Sequence, residues 1–305
     1  MHGPSRSRGI ALFILFLLVL FAASFAAGRL DLFQGGRLGL GESKIAVIPV
    51  QGLLVDAQGV LEELDRYKER GDVKALVFRI DSPGGTVVAA QEIYAEIRKL
   101  RGQKKTLSSL GNVAASGGYY VASATEEILA NPGTITGSIG VISEYANAED
   151  LLKKVGLKST VLKAGRFKDV GSPLREMTPE EQTYLQGLLQ NIHKQFIRDV
   201  AQGRQRPLEE IELLSDGRVF TGEQAKEIGL VDRLGNLQDA LDRAAELAGI
   251  EGKPVILYPE EERKRILEYL IQALVKGFQD FLVRMFEQSS PGWSRLEGSQ
   301  LIWRG

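Results

Sequence analysis

The sequence predicts an α/β fold with a largely parallel sheet and flanking helices, preceded by an N-terminal transmembrane helix. Three observations carry this. From Lys44 onward, short β-branched runs alternate with helical patterns, the signature of strands joined by helical crossovers. Eighteen consecutive uncharged, mostly apolar residues stand near the N-terminus. The composition, 44% hydrophobic and 25% charged, is that of a globular chain and excludes disordered and collagen-like classes.

Residues 1–9 carry Arg6 and Arg8, and residues 10–27 read IALFILFLLVLFAASFAA. At about 1.5 Å per residue this run is roughly 27 Å long, enough to cross the hydrocarbon core. Positive charge on the N-terminal flank holds that end in the cytoplasm and sends the rest of the chain to the exported side. A cleaved signal peptide is the competing reading, because Ser24, Phe25 and Ala26 resemble a processing site, but signal cores are usually shorter. Residues 28–43 are glycine-rich and read as a linker. Residues 1–43 hold four basic and two acidic side chains, which leaves a mildly acidic remainder.

The main domain spans 44–259. Strands are expected at 45–50, 75–80, 106–110, 127–130, 139–142 and 160–162. Helices are expected at 60–68, 87–100, 117–123, 148–155, 222–228 and 236–248. A longer helix runs from Pro179 to about Gln202, with Thr178 as its cap and Pro179 in its first turn. Residues 260–305 hold an amphipathic helix and tail. Ile266, Leu270, Leu274, Phe278, Phe281, Leu282 and Met285 lie on its apolar face. Such a face packs on the domain or a partner subunit. The Arg263, Lys264, Arg265 cluster also suits a membrane surface.

Absences narrow the chemistry. The chain has no cysteine, so disulfides, thiolate metal sites and a cysteine nucleophile are excluded. Two histidines, His2 and His193, nearly exclude a histidine metal cluster and leave His193 as the one candidate for a Ser-His-Asp triad. With 38 basic and 39 acidic side chains, there is no basic excess to mark a nucleic-acid surface.

Three glycine-marked segments could carry chemistry. Asp81, Ser82, Pro83, Gly84 and Gly85 follow a strand and precede a helix, where glycine amides can approach a substrate oxygen. An ordinary strand-to-helix turn looks the same. In Gly111–Tyr120, GNVAASGGYY, Ser116 sits among small residues before a helix, which suits either a nucleophile with an adjacent amide or a capping serine. A serine nucleophile needs a base. His2 is on the wrong side of the membrane segment, and His193 falls within a helix where a solvated or core-edge role is commoner. A lysine serves if burial lowers its pKa from about 10.4. Lys168, in AGRFKDVGSP, is available, although loop lysines are usually solvated.

These segments, in this order, resemble the signal peptide peptidase A family of membrane-anchored Ser/Lys proteases, relatives of the Clp protease and crotonase fold. The resemblance covers roughly residues 44–249. DSPGG marks the wider superfamily; NVAASGGYYVA, TGSIGV and GRFKDVGSPLREMT together are specific. It implies Ser116 as nucleophile, Lys168 as general base, and Ser138 as the serine that orients the lysine. The implied oxyanion donors are the amides of Gly117 and of Gly84 or Gly85. It also implies remnant signal peptides and other small or unfolded peptides as substrates, a homo-oligomer, and no metal or cofactor. Gly111-Asn112 departs mildly from the pattern, since relatives often carry an acidic residue there. The rival readings are a crotonase-like acyl-CoA enzyme, which export of the domain disfavours, and a non-catalytic membrane scaffold, which intact Ser116 and Lys168 disfavour.

The N-terminal segment gives the first test. The full-length protein should fractionate with membranes, and added protease should reach the main domain from the exported side alone. A mature chain beginning near Ala27 would make the segment a cleaved signal.

Overall fold

Both faces of the first strand are covered. Along β1 (Lys44–Leu54), Ile45 and Val47 point into one apolar cluster while Ala46, Ile48 and Val50 point into another. A strand buried on both faces belongs to a sheet covered by helices on each side. The protein, described here as a computed structural model for residues 43–259 and Lys276, has that architecture. Among the described residues no helix is long and apolar enough to cross a membrane. The 10–27 segment and the amphipathic 260–288 helix lie outside them.

After β1 come α1 (Gln58–Lys68), β2 (Val73–Gly85), α2 (Val87–Leu100), β3 (Lys105–Ala115), α3 (Gly117–Ser123), β4 (Glu127–Ala130) and β5 (Ile135–Gly137). Then follow α4 (Glu149–Lys154), α5 (Pro179–Arg204), α6 (Leu208–Leu213), β6 (Val219–Thr221), α7 (Gly222–Glu227), β7 (Arg233–Leu234), α8 (Leu237–Leu247) and β8 (Val255–Leu257). The strands form one mixed sheet in the order β6-β5-β3-β2-β1-β8, with β4 and β7 branching from β3. Every pairing is parallel except β5 with β6. β3 pairs with β4 through Leu107–Leu110 and with β5 through Val113–Ala115, so the strand leading to Ser116 anchors two branches.

The helices expected within 44–259 form, with ends shifted by one or two residues. Thr178 closes a capping box: its hydroxyl accepts Glu181 N–H at 3.2 Å, and Glu181 accepts Thr178 N–H at 3.0 Å. Two expected strands do not form. Residues 139–142 carry no strand because the strand ends at Gly137, and Ser138, at φ 52°, turns the chain out of the sheet. Residues 160–162 read as β from Val161 and Leu162, yet both are exposed and pair with no strand. β2 and β3 run further than expected, carrying the DSPGG and NVAA motifs into the sheet.

One close approach locks α5 onto the end of α3. A Cβ added at Gly203 would overlap the Ser123 carbonyl oxygen. Alanine in a helix normally gains about 0.5–1 kcal/mol over glycine. Here the obstacle is backbone, so overpacking of about 1–3 kcal/mol wins. Gly203→Ala should therefore lower the melting temperature, as thermal unfolding will show.

Candidate active site

The strand ends of β2, β3 and β5 carry five of the expected site residues, Gly84, Gly85, Ser116, Gly117 and Ser138. Ala115 on β3 pairs with Gly137 on β5, so Ser116 and Ser138 follow on adjacent strand ends. Ser116 N–H donates to Gly137 O at 2.8 Å, and Ser116 O accepts Tyr120 N–H at 2.8 Å to begin α3. Ser116 has φ 52° and ψ −120°, a region costly for a residue with a Cβ, of order 1–3 kcal/mol. A serine held in such a strand-to-helix turn presents its hydroxyl beside the first amides of the helix. Ser138, also at φ 52°, is held by its N–H to Arg218 O at 2.8 Å.

DSPGG braces this corner. The Asp81 carboxylate accepts Asn112 Nδ2 at 2.8 Å and Val113 N–H at 3.1 Å, so Asn112 completes a neutral–anionic contact where an acidic residue would repel Asp81. Ser82 is fully buried; its hydroxyl donates to Gly52 O at 2.6 Å and accepts Gly84 N–H at 3.1 Å. Thr86 N–H, two residues on, donates to Leu54 O. Gly84 N–H is thus engaged within its own turn. Gly85 and Gly117 line the cleft beside Ser116, and the side-chain direction of Gly117 passes 3.3 Å from Gly85 N.

That cleft, about 100 Å³, has apolar walls from Val87, Ala90, Val141, Ile142, Ile192 and Phe196. Ile192 and Phe196 lie four apart on α5; their apolar spacing was visible in the sequence, but nothing local marked the face as part of a site. Tyr120 also borders the cleft, stacked on Phe196 with ring centroids 4.5 Å apart and hydrogen-bonded to Asp199. Burial first, and then Asp199, push its phenol well above the usual range.

The two candidate bases are placed differently. His193 is half-buried on α5 with Nε2 3.3 Å from Ile139 O, an edge-of-core position that ties α5 to the loop after Ser138. Lys168 is exposed in the loop between α4 and α5 and is not among the residues lining the Ser116 cleft. Among the described residues there is no group of three or more acidic or histidine side chains placed to hold a metal.

A nucleophile-type serine, small-residue amides beside it and an apolar cleft describe a serine peptidase, and the comparisons agree. Peptidase family S49 matches residues 98–251. The chain is 47% identical to "Putative protease slr0021" of Synechocystis sp., over 74% of this chain and 82% of that protein. It is 32% identical to "Putative signal peptide peptidase SppA" of Enterococcus faecium, over 73% of this chain and 69% of that one. It is 39% identical to "Protease 4" of Salmonella typhi, over 72% of this chain but 35% of that longer protein. The chain belongs to peptidase family S49, the signal peptide peptidase A family, and is a serine peptidase.

The Gly84 backbone has no room for a side chain. At φ +101°, an added Cβ would lie 2.6 Å from Gly117 N and 2.9 Å from Ser116 Cβ. Gly84→Ala should displace the Ser116 turn and cost about 100-fold or more in kcat, the scale of losing an oxyanion donor. Steady-state assay of the folded variant checks this.

Proposed function

We propose that this protein is a membrane-anchored endopeptidase in which Ser116 is the nucleophile and Lys168 the general base, acting on remnant signal peptides and other small or unfolded peptides outside the cytoplasm. The observation that carries this is the strained Ser116 turn, with Gly117 and Gly85 lining the same cleft. In this reading the fold is that of Clp protease and crotonase relatives, 10–27 is the anchor and 28–43 the linker. The domain 44–259 is the catalytic unit, and 260–305 adds the amphipathic helix and tail.

Neutral Lys168 takes the proton from Ser116 Oγ as the oxygen attacks the peptide carbonyl. The carbonyl oxygen gains negative charge, met by the N–H groups of Gly117 and Gly85. Lys168 returns the proton to the leaving amine, which departs and leaves an acyl-serine ester. Water, deprotonated by Lys168, then hydrolyses the ester and restores Ser116. Ser138 orients the lysine amine. The apolar cleft takes an apolar side chain next to the scissile bond, as signal-peptide cores would offer.

An exposed lysine is a poor base in water, so Lys168 needs company. We propose a homo-oligomer in which Lys168 of one protomer serves Ser116 of the next. Two features support it: Lys168 is exposed in the single chain, and large apolar side chains between β5 and the middle of α5, including Ile142, Leu151, Leu162 and Leu188, are also exposed.

Ser116→Ala and Lys168→Ala should each abolish peptidase activity in folded protein, Ser138→Ala should weaken it, and His193→Ala should keep most of it. The rate should rise toward alkaline pH, because the base must be unprotonated. A dead His193→Ala beside an active Lys168→Ala would reverse the assignment. Co-assembly of the Ser116→Ala and Lys168→Ala proteins should restore part of the activity; inactive mixed oligomers would place both residues in one subunit.

A further inference from the structure

The residues on either side of Lys168 are fastened to the start of α5, while Lys168 itself is not. Arg166 pairs with Glu180 and lies 4.8 Å over the Phe167 ring. Phe167 stacks on Tyr184, with centroids 4.9 Å apart and planes at 18°. Asp169 accepts hydrogen bonds from Lys163 and from Arg175 Nε, the latter at 2.8 Å. Arg175 then reaches Glu181 with both terminal nitrogens, at 2.8 and 2.5 Å. Glu181 is the residue that caps α5 through Thr178. Lys168 is exposed and makes no ion pair among the described residues.

The two carboxylates are well enclosed, Asp169 at 13% and Glu181 at 6% side-chain exposure, so this is more than a surface pair. A planar guanidinium that bridges two carboxylates fixes their relative position as a single ammonium would not. Arg175, ahead of Lys163, holds the Asp169 carboxyl well below its usual range, and Arg175 with the Thr178 amide holds Glu181 down to about 2. Lys163, Asp169, Arg175 and Glu181 together carry no net charge, and the Arg166–Glu180 pair is neutral too. Of the other charges on this loop and α4, Glu149 accepts Glu176 N–H at 2.9 Å and pairs with Lys153, which also meets Asp150.

We infer that Arg175 is a positioning residue for peptide hydrolysis: by holding Asp169 and Glu181 at once, it fixes the Lys168 loop on α5 and keeps the neighbouring carboxylate off the Lys168 ammonium. This rests on the reading of Lys168 as the base. The consequence is both geometric and electrostatic. Without Arg175 the loop keeps the Arg166–Glu180 pair and the Phe167–Tyr184 stack but loses the tie that runs through Asp169. The Asp169 oxygen that Arg175 held, with Lys163 still on the other, becomes available to the adjacent lysine and favours the proton on its nitrogen. Enclosure of Lys168 by a second protomer would strengthen both effects, because charges interact more strongly away from water.

The test is the pH dependence of kcat and kcat/KM on a fluorogenic apolar peptide, for full-length Arg175→Gln, Arg175→Lys, Arg175→Gln with Asp169→Asn, and Lys168→Ala. For Arg175→Gln we expect kcat lower by about 10-fold, KM changed by less than about 3-fold, and the acid limb moved up by about half a pH unit or more. Adding Asp169→Asn should return the acid limb to its wild-type position without restoring kcat. Arg175→Lys keeps the charge but not the two-sided grip, so it should keep the limb and recover part of kcat. If Arg175→Gln does not fold, Asp169→Asn alone decides: it should lower kcat with no alkaline shift, and wild-type kcat would overturn the inference. An inactive Lys168→Ala beside an Arg175→Gln with wild-type kcat and acid limb overturns this inference alone. An unmoved acid limb with reduced kcat reduces Arg175 to a structural role and also overturns it. An active Lys168→Ala overturns the reading of the base, and this inference with it.

Discussion

The structure depends on one backbone junction, the contact of Gly84 with the Ser116–Gly117 peptide. The chain passes so close there that an added Cβ would sit 2.6 Å from Gly117 N. This approach lets the end of β2 lie against the start of α3. Ser116 is held from the other side by its N–H to Gly137 O, so the strained φ of 52° is set by neighbours on both flanks. Buried Ser82 and the Asp81 carboxylate hold the same corner together, spending their polar groups on β1 and β3. A serine that pays about 1–3 kcal/mol in backbone strain needs such enclosure to remain in place.

Much of this was legible in the residues. Thr178 and Pro179 announce the start of α5, since a capping threonine followed by an N-terminal proline has few other uses, and Glu181 completes the box in the structure. Ser116, Gly117 and Ser138 were legible as a group through their motifs, and the register of Ala115 with Gly137 supplies the physical reason they meet. Other features depend on distant partners. That the Gly84 amide is engaged turns on the rotamer of Ser82, which no local pattern encodes. Val161 and Leu162 have strand-like side chains, yet no strand edge reaches them. β6, β7 and β8 are two or three residues long and exist because β5, β4 and β1 offer them edges.

The loop from 142 to 178 behaves differently from the rest of the domain. Its polar groups are satisfied locally, with Ala148 N–H on Pro173 O and Glu176 N–H on Glu149, while many of its apolar side chains face outward. In the proposed assembly, those side chains are what a neighbouring protomer covers, and Lys168 is what the loop delivers. Separating the nucleophile and base in this way would make proteolysis conditional on assembly.

The central claim is that Ser116 is the nucleophile, and covalent capture tests it most directly. Full-length enzyme treated with a fluorophosphonate should gain one adduct per active chain, and peptide mapping should place it on Ser116 Oγ with activity lost in proportion. An adduct on another serine that tracks the loss of activity, or an active enzyme that forms none, would contradict the account.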